Sequence, residues 1–536
     1  MEATQELWLL AVPVLAVGTA VVARRTGLPA PLLLVVAGLL GGAIPGTPEI
    51  QLNPRFVLFV FLPPLLFAAA WESSPPNLRD NARPILSLSV GLVLCTTLVT
   101  GYVTYLIIPA LPLAAAFVLG AIVAPPDAVA AVGVAKRLGL PRRTVTVLVG
   151  ESLFNDATAL TAFGIAVAAA SGEGVSITDG GERFLFAAVG GVLIGFAAGP
   201  PLHWLRTRLR DPLAENAVAV LAPFAAYLVA EAVQASGVIA VVVSGLYLGH
   251  RVTESPAQTR LLGRSFWKVL IFILESVVFL LIGLQLPEVL DGLSAWHPLT
   301  LTWWALTVFA VVVAIRFAWV FATALISAPA ARRRARGGRP ATRRLDRREL
   351  TVVSWAGMRG VVSLAAAFAV PVSAAPGEPF PERHLILFLT FTTVLGTLLV
   401  QGFTFPTLIR RLGVEDGAER HTDAVAEAGA QHTAANAALE RLAELAAEEE
   451  VDEQTLRRLQ ELAEYRRLRA WERLGGGTGP DGTEVPTAVY QRLRREMLAA
   501  EREVFIRLRD ERRIDDEVLE RVLWELDLEE VALSRE

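Results

Sequence analysis

The sequence predicts an all-α integral membrane protein of about thirteen transmembrane helices, arranged as an inverted-topology repeat with two broken core helices and followed by a cytoplasmic helical tail. Three observations predict it. First, the 536 residues are 53% hydrophobic and 19% charged, with a mean hydropathy of +0.49. Soluble chains carry roughly 25% charge, so apolar surface is in excess of what soluble cores would bury. Second, the charge is divided along the chain: of 53 acids and 49 bases, 31 acids and 18 bases lie from Leu412 onward. The net charge of −4 therefore joins a basic membrane domain, 1–411, to an acidic tail, 412–536. Third, arginine and lysine cluster in every second loop, as cytoplasmic loops should.

The apolar runs lie near 7–23, 31–45, 54–71, 84–108, 112–135, 144–169, 183–205, 215–233, 237–250, 266–286, 301–326, 351–371 and 385–409. A crossing needs about 20 apolar residues, and the second and ninth runs are short. The opening MEATQEL is acidic and has no basic n-region, so the first run reads as a retained helix and not a cleaved signal peptide. Gly191, Gly195 and Gly199 form a small-residue stripe in the seventh run, suited to close helix packing or a dimer contact. Bases gather at Arg24 and Arg25, Arg79 and Arg83, Lys136 to Arg143, Arg206 to Arg210, Arg251 to Arg264, and in nine arginines between Arg332 and Arg348. The intervening loops are acidic, with Glu49, Glu173, Asp179, Glu182, Glu288, Asp291, Glu378 and Glu382 against Arg183 and Arg383. This places the N-terminus outside and the tail in the cytoplasm, with the arginine-rich loop facing anionic lipid.

An odd number of crossings makes the sixfold first and second halves run in opposite senses. In transporters of that construction the ion site sits at the midplane, between interrupted helices. Pro125 and Pro126 interrupt the fifth helix of one half, and Gly357 and Gly360 the corresponding helix of the other. Proline removes backbone donors and glycine permits unwinding.

Charges at membrane depth are functional candidates by default: Asp127, Glu151, Asp156, Glu275, Arg316 and Arg359, with Glu231 nearer a helix end. Asp127 follows the proline pair in APPDAVAA; Glu151, Ser152, Asn155 and Asp156 lie in GESLFNDATAL. Ser152 stacks with Asp156 and Glu151 with Asn155, on faces about 100° apart. With any carbonyl freed at Pro126, these oxygens suit a hard monovalent cation. Arg359 is the one base at the second break, so the acids around it outnumber the permanent bases and a surplus carboxylate must bind a proton or a cation. Glu275 and Arg316 are expected to neutralise each other across neighbouring helices. A single cysteine, Cys95, excludes a disulfide framework and a cysteine metal site, and all six histidines fall at run ends, in loops or in the tail. Antiport, a cation channel and a permease for another solute all fit these residues; an enzyme lacks a nucleophile with a membrane-depth base.

The motifs FLPPLLFAAAW, APPDAVAA, GESLFNDATAL, RFAWVF and WAGMRGVVSLA, in this order, resemble bacterial sodium/proton antiporters of the monovalent cation:proton antiporter-1 family, over residues 7–411. The resemblance implies a plasma-membrane homodimer in which a core bundle slides against a scaffold, exchanging Na+, or alternatively Li+ or K+, for a proton by alternating access. It implies Asp156 as the carrier of either ion, Ser152 as a direct ligand, Asn155 as organiser of the site, and Glu151 paired with Arg359. The Asn155–Asp156 dipeptide resembles the electroneutral branch. Pro126 stands where the family often has threonine, leaving only its carbonyl beside Asp127. No cofactor beyond the transported Na+ and H+, and no nucleic-acid partner, is expected. The tail has amphipathic stretches near 423–448, 452–474, 485–511 and 514–530, divided by a glycine-rich linker at 475–483.

Overall fold

A computed structural model of the protein describes every residue except 1, 27–29, 45–53, 173–176, 327–344, 376–377, 415–416, 475–483 and 535–536. Most of the arginine-rich loop and the glycine-rich linker lie outside the described residues. The chain forms two units, Met1–Glu415 and Asp416–Glu536. The first begins with α1 (Glu2–Thr26), α2 (Ala30–Gly42) and α3 (Pro54–Trp71), and continues through the short α4 (Pro75–Asp80) and α5 (Ala82–Leu86). A π-helical turn over Ser87–Leu92 leads into α6 (Val93–Ile107). Then come α7 (Leu113–Val123), α8 (Ala128–Leu138), α9 (Arg142–Ala170), α10 (Ile177–Leu209), α11 (Pro212–Ala232) and α12 (Gly237–His250). The unit closes with α13 (Ala257–Asp291), α14 (Pro298–Ile326), α15 (Arg347–Trp355), α16 (Val361–Phe368) and α17 (Arg383–Leu412), with a two-stranded hairpin between α16 and α17.

Among the described residues seven helices are long and apolar enough to cross a membrane, and four shorter apolar helices accompany them. Their lateral surfaces keep large side chains exposed, including Leu185, Leu193, Trp303 and Leu306, which suits lipid and not water. Close packing uses glycine where backbones meet. A Cβ at Gly38 of α2 would lie 2.2 Å from the Leu280 carbonyl oxygen of α13, and one at Gly283 would lie 2.2 Å from that of Val35. The stripe Gly191, Gly195 and Gly199 faces Ser236, Ala240 and Tyr247 of the α12 region in the same way, so its close approach is made within the protomer. Local caps stop the ends fraying: Asp211 accepts from the Leu213 and Ala214 amides, and Asp346 forms a reciprocal capping box with Glu349.

The second unit contains α18 (Gly417–Glu448), α19 (Glu453–Leu474), α20 (Pro486–Asp510) and α21 (Asp516–Ser534). Leu498, Leu526 and Leu533 make its small core. Arg494 bridges Glu501 and Glu529 at 2.8 and 2.6 Å, and Arg502 bridges Asp527 and Glu530 at 2.7 and 2.6 Å.

Candidate functional site

Two helical tracks are broken, and the breaks meet. Helix α7 stops at Val123 and α8 begins at Ala128; α15 stops at Trp355 and α16 begins at Val361. Pro125 and Pro126 cannot donate to the carbonyls four residues back, so α7 ends with unsatisfied acceptors. The partner break supplies donors. Arg359 Nε donates to the Val123 carbonyl at 3.0 Å and Nη2 to that of Ala124 at 3.5 Å, while Nη1 donates to its neighbour Gly357. In return the Asp127 amide donates to the Met358 carbonyl at 2.7 Å. The Arg359 amide is held by Thr397 Oγ1 of α17 at 3.0 Å. The crossing leaves no room for a side chain at Gly360, where a Cβ would sit 1.8 Å from Asp127 Oδ2.

The ion pairs differ from those expected. Glu151 does not pair with Arg359. It takes a bidentate pair from Arg316 of α14, with Nη2 donating to Oε2 at 2.8 Å and Nη1 to Oε1. The same guanidinium donates twice to the Val353 carbonyl near the end of α15, at 3.1 Å from Nε and 2.9 Å from Nη2. Arg316 is thus to the second break what Arg359 is to the first, a cation on the exposed carbonyls of a half-helix C-terminus. The expected Glu275–Arg316 pair is overturned for the same reason, because the Arg316 fork is fully engaged by Glu151 and Val353. Glu275 instead lines a cavity.

That cavity encloses about 590 Å³. Its wall includes Asp127, Ser152, Asp156 and Glu275, and exposed residues such as Arg24, Glu72 and Lys136 line its mouth. The two faces of α9 divide the work. Glu151 and Asn155 turn into protein: Asn155 Nδ2 donates to the Pro126 carbonyl at 2.6 Å, so that carbonyl keeps one lone pair for any other partner. Ser152 and Asp156 turn to the cavity. Asp156 is 4% exposed, and among the described residues no base lies within ion-pair distance of it. The structure brings Asp127, Ser152 and Asp156 to one cavity, with Pro126 and Asn155 behind them, and carries Glu151 away from it.

Residues 11–411 match the family model for the transmembrane domain of sodium/hydrogen exchangers. The chain belongs to that family. An uncharacterized Na+/H+ exchanger of Mycobacterium tuberculosis is 37% identical to this exchanger over 532 residues, covering 96% of this chain and 94% of the relative. A Na+/H+ antiporter of Aphanothece halophytica is 35% identical, covering 74% and 72%. A sodium, potassium, lithium and rubidium/H+ antiporter of Bacillus subtilis is 32% identical, covering 71% of this chain and 58% of its own. The fold matches that of the sodium proton antiporter MjNhaP1 from Methanocaldococcus jannaschii, with a TM-score of 0.59 at 19% identity, over 78% of this chain and all of the other. The exchanger is therefore a multi-span membrane transporter that moves a monovalent cation against a proton. Sequence reasoning finds Arg316 as a membrane-depth base but expects the wrong partner for it, and it misses Thr397. Thr397 carries no charge, and only the polar spacing Thr390, Thr393, Thr397 and Gln401 along α17 marks a buried polar stripe.

Proposed function

We propose that Asp156 carries the cation and the proton alternately, one for one, as core helices α5–α9 and α14–α17 move against the remaining scaffold. The observation that carries this reading is the position of Asp156: buried, on the cavity, and without a basic partner among the described residues. A permanently paired carboxylate such as Glu151 cannot release and rebind a proton in each cycle, whereas an unpaired one is neutralised by whichever ion reaches it. Ser152 and the second lone pair of the Pro126 carbonyl are the further oxygens offered to the cation, Asn155 orients that carbonyl, and Asp127 adds negative charge beside it. Na+ is the first candidate, with Li+ and K+ next, in keeping with the cations named for the Bacillus relative.

The finer organisation belongs to the same proposal: about thirteen crossings related by inverted repeat, a homodimer in the plasma membrane, the N-terminus outside, residues 412–536 in the cytoplasm, and neither a cofactor, an enzymatic step nor a nucleic-acid partner. The test is Na+-driven proton movement in proteoliposomes. Asp156→Asn should abolish exchange while the purified protein keeps its elution volume and melting temperature. Wild-type exchange should fall at low pH, where the carboxylate stays protonated, and at high pH, where protons are scarce. Exchange retained by Asp156→Asn with an unchanged apparent KM would sink the assignment. For one-for-one exchange an imposed potential of 100 mV adds none of the roughly 2.3 kcal/mol per charge that it supplies to net charge movement, so the rate should ignore it.

A further inference from the structure

Two groups on the cavity wall have no part in the site around Asp156. One is Glu275, half-buried on a stripe of α13 that also presents Lys268, Ile271 and Phe272 to the cavity. With Arg316 engaged by Glu151, no base among the described residues lies within ion-pair distance of Glu275. Arg24 acts on Glu275 through its charge alone and makes no ion pair with it; its guanidinium sits over the Phe272 ring, 4.2 Å from the centroid. The other is Ser363, in the first turn of α16 after the Gly360 break. It is 1% exposed, lines the same cavity, and its Oγ has no hydrogen-bond partner. A buried hydroxyl without a partner calls for water or an ion to supply one.

The charge of the wall points the same way. Its bases are Arg24, Lys136 and Lys268; its acids are Asp127, Asp156, Glu275 and, at the rim, Glu72. With Glu275 ionised the acids outnumber the bases, and without it they balance. A cleft with an excess of one sign concentrates ions of the other, so Glu275 decides whether this cavity attracts a cation at all. Carboxylate and hydroxyl oxygens are also the ligands a hard alkali cation accepts.

We propose that Glu275 and Ser363 form a second cation station in the cavity, holding a partly hydrated monovalent cation between the mouth and Asp156. The proposal rests on Asp156 as carrier. It is tested with the full-length protein in proteoliposomes, by initial rates of proton efflux over a series of Na+ concentrations. Glu275→Gln should raise the KM for Na+ roughly three- to tenfold while the maximal rate stays within about twofold of wild type. Glu275→Asp should bring KM back to within about twofold, and Ser363→Ala should raise it roughly two- to threefold. A wild-type KM in Glu275→Gln overturns the station, and so does a lost maximal rate with unchanged KM, which is the mark of a structural role. Should Glu275→Gln not fold, Lys268→Gln carries the test: removing a base from the same stripe should lower KM, and an unchanged or raised KM overturns the proposal. An inactive Asp156→Asn beside a wild-type KM in Glu275→Gln removes this inference alone. An active Asp156→Asn removes the carrier assignment, and the KM of Glu275→Gln still decides the station.

Discussion

The two helix breaks are closed by the same residue type in two different ways. Arg316 caps the end of α15 through Val353 and carries its own carboxylate, Glu151, at 2.8 Å. Arg359 caps the end of α7 through Val123 and Ala124 and has no carboxylate within ion-pair distance among the described residues. One buried cation is therefore neutralised locally, while the other is compensated only by carbonyl dipoles and by the field of acids nearby. The unneutralised arginine lies at the break that Asp127 adjoins.

The comparison breaks most severely at the paired arginine. Glu151→Gln should leave Arg316 buried without a counter-charge, costing on the order of 3 to 5 kcal/mol, and should lower the melting temperature of the detergent-solubilised protein together with exchange. Glu151→Gln combined with Arg316→Gln should recover part of that stability, since no orphan charge remains. Additive losses in the double variant would show that the two side chains are not coupled. Combining Glu151→Gln with Arg359→Gln should give no such recovery, which separates the observed pairing from the one expected from sequence.

A smaller effect should follow at the unpaired arginine. Arg359→Lys keeps the charge but loses the planar fork that reaches Val123, Ala124 and Gly357 together. Leaving buried carbonyls unsatisfied costs about 1 to 3 kcal/mol, so the melting temperature should fall less than in Glu151→Gln, and exchange should persist at a reduced rate. Loss of exchange equal to that of Arg359→Gln would mean that the fork, and not the charge, sustains the site.

The smallest effect belongs to the third kind of arginine, in the tail. Arg494 holds the Glu529 carboxyl below the ordinary glutamate value of 4.5 by hydrogen bonding to it, but the Glu529 side chain is 41% exposed. A carboxylate with a depressed folded value contributes stability that is fully present above the unfolded value and fades as pH falls through the folded one. Hydrogen exchange of α20 and α21, corrected for intrinsic rate, should therefore be unchanged from neutrality down to about pH 4.5 and rise below it. Arg494→Ala should flatten that rise, and its effect at neutral pH should stay within about 1 kcal/mol, as for exposed pairs.

Much of the membrane unit was legible because apolar run length and proline or glycine interruption act locally. A chain that must satisfy its backbone inside lipid does so as helix or closed barrel, and apolar runs of this length are helical. Pro125–Pro126 and Gly357–Gly360 mark the two breaks, whereas Pro63–Pro64 and Pro200–Pro201 lie inside continuous helices. The face of α9 that meets the cavity was legible too, since residues four apart share a side. The choice of ion-pair partner was not. Glu151 and Arg316 are separated by 165 residues, and four acids and two arginines at membrane depth allow several pairings of equal chemical merit. Only the packing of α14 against α6, α15 and α17 carries Arg316 into reach of Glu151 and Val353, and only the crossing of the breaks turns Arg359 onto the end of α7. The sequence by itself determined which residues had to be buried with charge and which interruptions could become breaks, because both depend on composition within a few residues, but a proline pair like the one that ends α7 is carried within a continuous helix in α3 and α10. Tertiary structure alone decided which charge meets which, because a buried ion pair depends on distances of a few ångströms between helices remote in sequence.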